Sequence, residues 1–278
     1  MIIGGEIKMI KEELFTLSFP YYTGRNRKVR VYVPEHEETE RLPVIYMTDG
    51  QNLFEDNNPG QFGCWYTREA ISEVGKAIIV GIHNDESPLQ RARELTTKSI
   101  GALRFPDAMP ESIRNSIVPE GELFDNFAVN TVIPEIEKRF PVQKGRNAAA
   151  FCGSSSGGLQ AYFTALSHPD KFCMSGVFSP VFSILYAEDV IRWTKETVGE
   201  NKPYLYIYSG ANGRMEQEIC ESTKAVVEAI SEFYPKEKLK AKILPEQPHH
   251  ESAWAPIFKD FLHTFLTQRK ALKQEARI

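Results

Sequence analysis

The stretch Phe151-Cys152-Gly153-Ser154-Ser155-Ser156-Gly157-Gly158 holds a Gly-x-Ser-x-Gly pattern centred on Ser155. A serine there is a candidate nucleophile if the chain arrives along a strand, turns tightly and leaves in a helix. The apolar run Asn147–Cys152 reads as the strand, and Leu159–Leu166 reads as helix. The glycines allow that helix to pack close to that strand. The helix start then aims backbone N–H groups at charge developing on a reacting carbonyl. Of the three serines, Ser154 precedes the tip and Ser155 is central. Ser156 follows it, where its backbone N–H is the natural oxyanion donor. The bland alternative is a serine-rich turn without chemistry, because the bare pattern recurs by chance.

A serine hydroxyl is a poor nucleophile until a base takes its proton. Of the six histidines, His36 lies in an acidic loop, His83 ends an apolar run, His168 closes the helical pattern after the elbow, and His263 sits inside another helical pattern. His249 and His250 lie in Pro245-Glu-Gln-Pro-His-His-Glu-Ser-Ala-Trp254, between a strand-like run and a helix. Hydrolases built on such an elbow carry their residues in the order serine, acid, histidine, and either histidine meets it. A second oxyanion donor should come from the turn after an early core strand. Here that turn follows Pro43-Val-Ile-Tyr-Met-Thr-Asp-Gly50, and the backbone N–H of Gln51 is the candidate. Such a donor contributes on the order of 3 kcal/mol. Asp49 precedes the nucleophile in the chain, so it is expected to hold the loop by hydrogen bonds and not to serve as the acid. The acid should follow the run Pro203–Tyr208. Glu216 is the first carboxylate available there and Glu218 the next. Both equally suit the first turn of a helix, where the dipole favours them. A Ser–His dyad, with the imidazole oriented by a backbone carbonyl, is the alternative.

These residues need elements to position them. The runs Pro43–Met47, Ala77–Ile82, Asn147–Cys152, Cys173–Phe178 and Pro203–Tyr208 are short, apolar and bounded by turn residues, as central strands of a covered sheet are. Leu239–Leu244 reads as a further strand. Leu14–Phe19 and Lys28–Val33 read as a half-exposed antiparallel pair joined by the turn Thr23-Gly24-Arg25-Asn26. Helical patterns lie between: Thr67–Val74, Glu120–Arg139, Ser156–Ser167, Ala187–Thr197, Glu216–Phe233 and Trp254–Ala271. The alternation predicts an α/β fold, a mostly parallel sheet with helices on both faces, in one domain over residues 1–278. The segment 84–121, with Pro88, Pro106, Pro110 and Pro119, breaks the rhythm. It reads as a lid or binding loop, or as an irregular surface excursion.

Composition narrows the function classes. The 278 residues are 42% hydrophobic and 25% charged, ordinary for a soluble globular protein. A net charge of −4 offers no basic footprint for nucleic acid. No apolar run approaches the ~20 residues that span a bilayer, and Met1–Glu13 lacks the order of a secretory signal. Cys64, Cys152, Cys173 and Cys220 form no Cys-x-x-Cys pair. Cys152 and Cys173 sit in apolar runs as buried thiols, which favours a reduced, cytoplasmic location. A small-molecule substrate is the expected partner, and a homo-oligomer stays open.

Several motifs resemble one family, known as the Putative esterase family of α/β-hydrolases, enterochelin-esterase-like or esterase D-like. Val44-Ile-Tyr-Met-Thr-Asp-Gly-Gln-Asn-Leu-Phe54 resembles its Leu-Tyr-x-x-Asp-Gly-Gln-Asn-Leu-Phe stretch, and Gly153-Ser-Ser-Ser-Gly-Gly158 its Gly-Ser-Ser-x-Gly-Gly. His168-Pro-Asp-Lys-Phe172 and Phe178-Ser-Pro180 are similar to its Tyr-Pro-Asp-x-Phe and Leu-Ser-Pro. His249-x-Glu251-x-x-Trp254 is similar to its His-Asn-Glu-Ala-Ala-Trp, which selects His249 over His250. The resemblance runs from about Phe15 to Phe265 and implies an α/β-hydrolase fold. Two places depart from the pattern. Where the family often carries its acid, this chain reads Gly210-Ala-Asn-Gly213, so the acid is absent or displaced to Glu216. Where the family often has Arg-x-x-Glu-Tyr-x-Pro, this chain keeps Arg91 and Glu94 but lacks the Tyr and Pro. Arg91 and Arg93 are candidates for binding an anionic substrate group; the alternative is an Arg91–Glu94 pair that shapes the loop.

The reading implied is a serine carboxylic ester hydrolase working through an acyl-enzyme. Ser155 is the nucleophile, His249 the base, Glu216 the acid, and Ser156 and Gln51 the oxyanion donors, with no metal or organic cofactor. Trp254, Phe54 and Trp65 are expected at the pocket mouth or, alternatively, in the core. The resemblance implies siderophore esters, acyl or feruloyl esters on sugars, or small xenobiotic esters as substrates. An acyltransferase on the same scaffold and a catalytically silent binding module are the other classes; the missing family acid favours the second.

Overall fold

Continuous apolar runs form the middle of a sheet, and alternating runs form its edge. The computed structural model describes residues 7–8, 10–19, 26–55, 63–85, 87–105 and 110–275. Strands β1 (Ile7–Lys8) and β4 (His36–Glu37) make a small antiparallel ribbon. The main sheet has eight strands: β2 (Lys11–Ser18), β3 (Asn26–Val33), β5 (Val44–Met47), β6 (Ile78–Ile82), β7 (Ala149–Ser154), β8 (Met174–Phe178), β9 (Tyr204–Ser209) and β10 (Leu239–Ile243). Their order is β10-β9-β8-β7-β5-β6-β3-β2. The six strands from β10 to β6 are parallel, and β3 and β2 add an antiparallel pair at one edge. Every residue of β5, β6, β7 and β8 is buried, whereas β2 alternates exposed and half-buried. This is the α/β-hydrolase arrangement, and the elbow strand β7 lies at its centre.

Period-two alternation sends side chains to two helix layers. Val44, Tyr46, Val80 and Phe151 pack under α4 (Gly121–Phe127), α5 (Ile133–Arg139) and α6 (Ser156–Ser167). Ile45, Met47, Ile79 and Cys152 face α1 (Thr67–Val74) and α9 (Glu251–Glu275), including Phe258 and Phe261. Val177, Leu205 and Ile207 are covered by α6, α7 (Ala187–Thr197) and α8 (Arg214–Ile230). Full burial of such side chains is worth about 1.5–3 kcal/mol each. Among the described residues, no helix is long and apolar enough to cross a membrane.

The helical pattern expected over Glu120–Arg139 is interrupted by a π-turn at Ala128–Val132. Pro134, in the first turn of α5, has no N–H to donate, so the helical ladder widens there. The described part of the segment 84–121 is more ordered than its prolines suggest. It contains α2 (Pro88–Glu94) and α3 (Glu111–Arg114), and Leu95, Thr96, Thr97 and Ile100 are buried. Thr23, Gly24 and Arg25 of the expected turn, and Pro106, lie outside the described residues.

Candidate active site

Strand β7 runs through Ser154 and helix α6 starts at Ser156, so Ser155 alone makes the turn. Its φ of 60° and ψ of −126° belong to a region that costs a non-glycine residue on the order of 1–3 kcal/mol. The surrounding backbone holds it there. Ser155 N–H donates to Phe178 O at 2.9 Å, and its carbonyl accepts from Gly158 N (3.0 Å), Leu159 N (3.1 Å) and Val181 N (3.3 Å). The glycines answer a space requirement. A Cβ on Gly157 would collide with Thr48 Oγ1 and sit 2.9 Å from Asp49 Oδ2, and one on Gly158 would sit 2.6 Å from Phe178 O. The turns after β5 and β8 therefore press directly on the elbow. The opening N–H groups of α6 have no partner within their own helix, which leaves the Ser156 N–H suited to an anionic oxygen.

His249 Nδ1–H donates to Glu216 Oε2 at 2.5 Å. Glu216 is only 1% exposed, and a carboxylate so dry is tolerated only where donors replace water. Its other oxygen accepts from Ser179 Oγ (2.6 Å), Gly210 N (2.7 Å) and Ser209 Oγ (3.2 Å). Trp254 Nε1 donates to Ser179 Oγ at 3.0 Å, and the indole meets the His249 ring edge-on with centroids 5.0 Å apart. The loops carrying acid and base are joined as well: Gln247 O accepts from Ala211 N (3.2 Å) and Asn212 N (3.0 Å). His250 turns instead to Ser252 Oγ at 2.8 Å, and Glu218 pairs with Arg214 at the surface. Of the two carboxylates left open by the sequence, Glu216 is thus the one that reaches an imidazole. The nucleophile candidate hangs on the same segment: Ser179, which bonds Glu216, directly follows Phe178, which bonds Ser155.

The turn Gly50–Asn52 follows β5, with Asp49 at a φ of 53°. Gln51 Nε2 donates to Asn84 Oδ1 after β6, and Asn52 Nδ2 to Glu251 Oε1 at 2.9 Å. The buried Asp49 carboxylate takes a two-point contact from Arg91, Nε at 2.6 Å and Nη2 at 2.9 Å. Burial alone would lower the Arg91 pKa, but the Asp49 charge outweighs it and the guanidinium is raised. Arg91 does not pair with Glu94. α2 turns Glu94 inward, where it meets Arg27 and Asp85 N, and burial pushes its carboxyl upward. Trp254, Phe54 and Trp65 are all buried and share one core cluster, as the core alternative has it. Sequence reasoning gave Ser179 no role. Its one signal is its position directly after the strand beside the elbow.

The family model described as "Putative esterase" matches residues 21–220. This chain belongs to that family. The esterase shares its fold with siderophore hydrolase EstB from Aspergillus nidulans, at 18% identity over 90% of this chain and 94% of that one, with a TM-score of 0.62. It is similarly close to the enterobactin esterase FES from Shigella flexneri, at 17% identity over 93% of this chain and 58% of that one, with a TM-score of 0.66. A third similar structure is the ferulic acid esterase AmCE1/Fae1A from Anaeromyces mucronatus, at 16% identity over 95% and 93% of the two chains, with a TM-score of 0.58. No curated protein matches the chain in sequence.

Proposed function

We propose that this esterase is a serine carboxylic ester hydrolase acting through an acyl-enzyme. The observation that carries the reading is the Glu216–His249 pair, built on the same segment that holds Ser155. A carboxylate oxygen only accepts, so Nδ1 keeps its proton and Nε2 is left as the basic nitrogen. Ser155 Oγ attacks the ester carbonyl while His249 Nε2 takes its proton. The backbone N–H groups of Ser156 and Gln51 receive the oxyanion. The C–O bond then breaks, His249 returns the proton to the leaving alcohol, and the acyl group stays on Ser155. A water repeats the attack and gives a proton to His249; the bond between the acyl carbon and Ser155 Oγ breaks, His249 returns that proton to Oγ, and the acid leaves. Glu216 orients the imidazole and stabilises the imidazolium without becoming protonated. Each step moves only protons and an acyl group, so the chain's own residues suffice.

Small esters of the siderophore or acyl- and feruloyl-sugar kind are the proposed substrates, supported by similarity in fold to siderophore hydrolases and a ferulic acid esterase. Arg91 stays 27% exposed while bound to Asp49, with Nη2 3.5 Å from Ser154 O. An anionic substrate group could therefore still reach it. A reducing cytoplasmic location is also proposed, supported by the burial of Cys64, Cys152, Cys173 and Cys220; burial pushes the Cys173 thiol up to about 11. The test is fluorophosphonate labelling mapped by mass spectrometry, with p-nitrophenyl butyrate turnover. The adduct is expected on Ser155, and Ser155→Ala is expected to lose roughly 10⁴-fold or more in kcat. An unlabelled Ser155 in folded protein, or an active Ser155→Ala, would overturn the reading. Acyl transfer to an added alcohol in preference to water would move the enzyme to the acyltransferase class.

A further inference from the structure

Glu251 lies two residues after the proposed base and opens α9, yet its side chain turns into the protein. It is 6% exposed. Its Oε1 accepts from Asn52 Nδ2 at 2.9 Å across 199 positions of sequence. Asn52 follows Gln51 and is fixed along its backbone: its N–H donates to Asp49 O and its carbonyl accepts from Trp65 N, both at 2.9 Å. One side-chain bond thus joins the loop of the base to the turn of the oxyanion donor. The bond comes at a cost. Among the described residues, Glu251 Oε2 and Asn52 Oδ1 are buried without a hydrogen-bond partner, and an unpaired buried polar atom destabilises the fold. Burial also pushes the Glu251 carboxyl upward, and the Asp49 charge acts in the same direction. An apolar pair of similar shape would brace the two loops without either penalty. What it would lack is a directional bond that fixes the turn to a defined position.

We propose that Glu251 is a positioning residue that, by holding Asn52, sets the spacing between His249 and the oxyanion donor at Gln51. The inference rests on the serine-esterase reading above. When Ser155 attacks, the proton moves to His249 as negative charge moves to the carbonyl oxygen, so base and donor must fit the same tetrahedral centre. A displacement of ~1 Å at such a centre costs on the order of 100-fold in rate. Glu251 touches none of the reacting atoms and acts only through Asn52.

The test compares wild type with Glu251→Ala, Asn52→Ala, the double variant and Glu251→Gln. It measures kcat and KM for p-nitrophenyl butyrate, Ki for phenylboronic acid, and thermal unfolding. The boronate adds to the serine as a tetrahedral adduct with an oxygen in the oxyanion site, so its Ki reports that geometry directly. Each alanine variant is expected to lose about 10- to 100-fold in kcat, with KM within about threefold and the boronate Ki rising in step. The double variant should lose no more than the worse single, because both remove one link. Glu251→Gln, whose amide oxygen still accepts from Asn52, should recover most of the loss. A folded Asn52→Ala that keeps its kcat overturns the proposal, and so do losses that multiply in the double variant or a boronate Ki that stays put. If Glu251→Ala does not fold, Asn52→Ala decides alone. Wild type that is labelled at Ser155 while the variants behave normally sinks this inference only; wild type unlabelled at Ser155 removes the serine reading and this inference with it.

Discussion

Glu216 receives more hydrogen bonds than a carboxylate in a first helical turn has use for. One oxygen serves His249 and the other serves Ser179, Ser209 and Gly210 N. Glutamine at this position would keep only one acceptor oxygen, and its NH₂ would face either the imidazole N–H or the three other donors. Glu216→Gln is therefore expected to lower kcat by roughly 10²–10⁴-fold and stability by about 1–3 kcal/mol, as steady-state kinetics and thermal unfolding would show. A kcat loss below about tenfold, ~1.4 kcal/mol, would mean that the imidazole is oriented by something else. Ser155 and His249 are legible in the sequence because each belongs to a short local motif. The Glu216–His249 contact is legible only as one of several options, since a first-turn carboxylate looks the same whether it faces solvent or a histidine. Ser179 shows in the sequence only as the middle of Phe178-Ser-Pro180 at a strand end, with nothing to mark its contacts. Its place depends on a φ of 40° and on partners 37 and 75 positions away, and no local pattern encodes either.

At the scale of elements, the central strands are readable because burial on both faces forces unbroken apolar runs. Their ends are less readable. β7 extends to Ser154, beyond the last apolar side chain, because the elbow is held by backbone bonds to β8 and needs no apolar side chain. α8 and α9 likewise start before their apolar patterns do, at Arg214 and Glu251. The segment 84–121 hides its order for a related reason: α2 is anchored by polar contacts. Arg91 reaches from α2 to Asp49, next to the elbow, while Glu94 reaches back to Arg27. Arg91→Leu would leave the Asp49 carboxylate buried without its cation. A fully buried pair loses about 3–5 kcal/mol on such a change, but Arg91 is 27% exposed and solvent screens the pair, so about 1–3 kcal/mol is expected in urea unfolding. Adding Asp49→Asn should recover part of that loss, because the orphaned charge, and not the missing contact, is the larger penalty. Equal stability of wild type and Arg91→Leu would show that the pair does not anchor α2.

At the scale of the whole molecule, two histidines pull the pH dependence of stability in opposite directions. His83 directly follows β6, and burial lowers its pKa from 6.5 to about 4, with Lys28, Arg30 and Arg27 pushing the same way and Asp49 opposing them. The folded state therefore resists protonation there. The stability tied to His83 is complete above the unfolded pKa of about 6.5 and is lost as pH falls from there toward 4. His168 behaves the other way. Burial alone would lower its pKa, but the hydrogen bond and charge of Asp125, 2.7 Å away, more than offset it, and the value is raised above 6.5. Its contribution is complete below about 6.5 and is lost as pH rises through the folded value. Together they place a stability maximum near the ordinary histidine pKa, with one limb assigned to each ring. Buried carboxylates also titrate on the acid side, so the diagnostic is the difference between variant and wild type at each pH. His83→Gln should flatten the decline between pH 6.5 and about 4 and leave the alkaline limb as it was. His168→Gln should flatten only the alkaline limb. Urea midpoints measured from pH 4 to 9 decide it: an acid limb unchanged in His83→Gln would show that His83 is not what the fold keeps neutral.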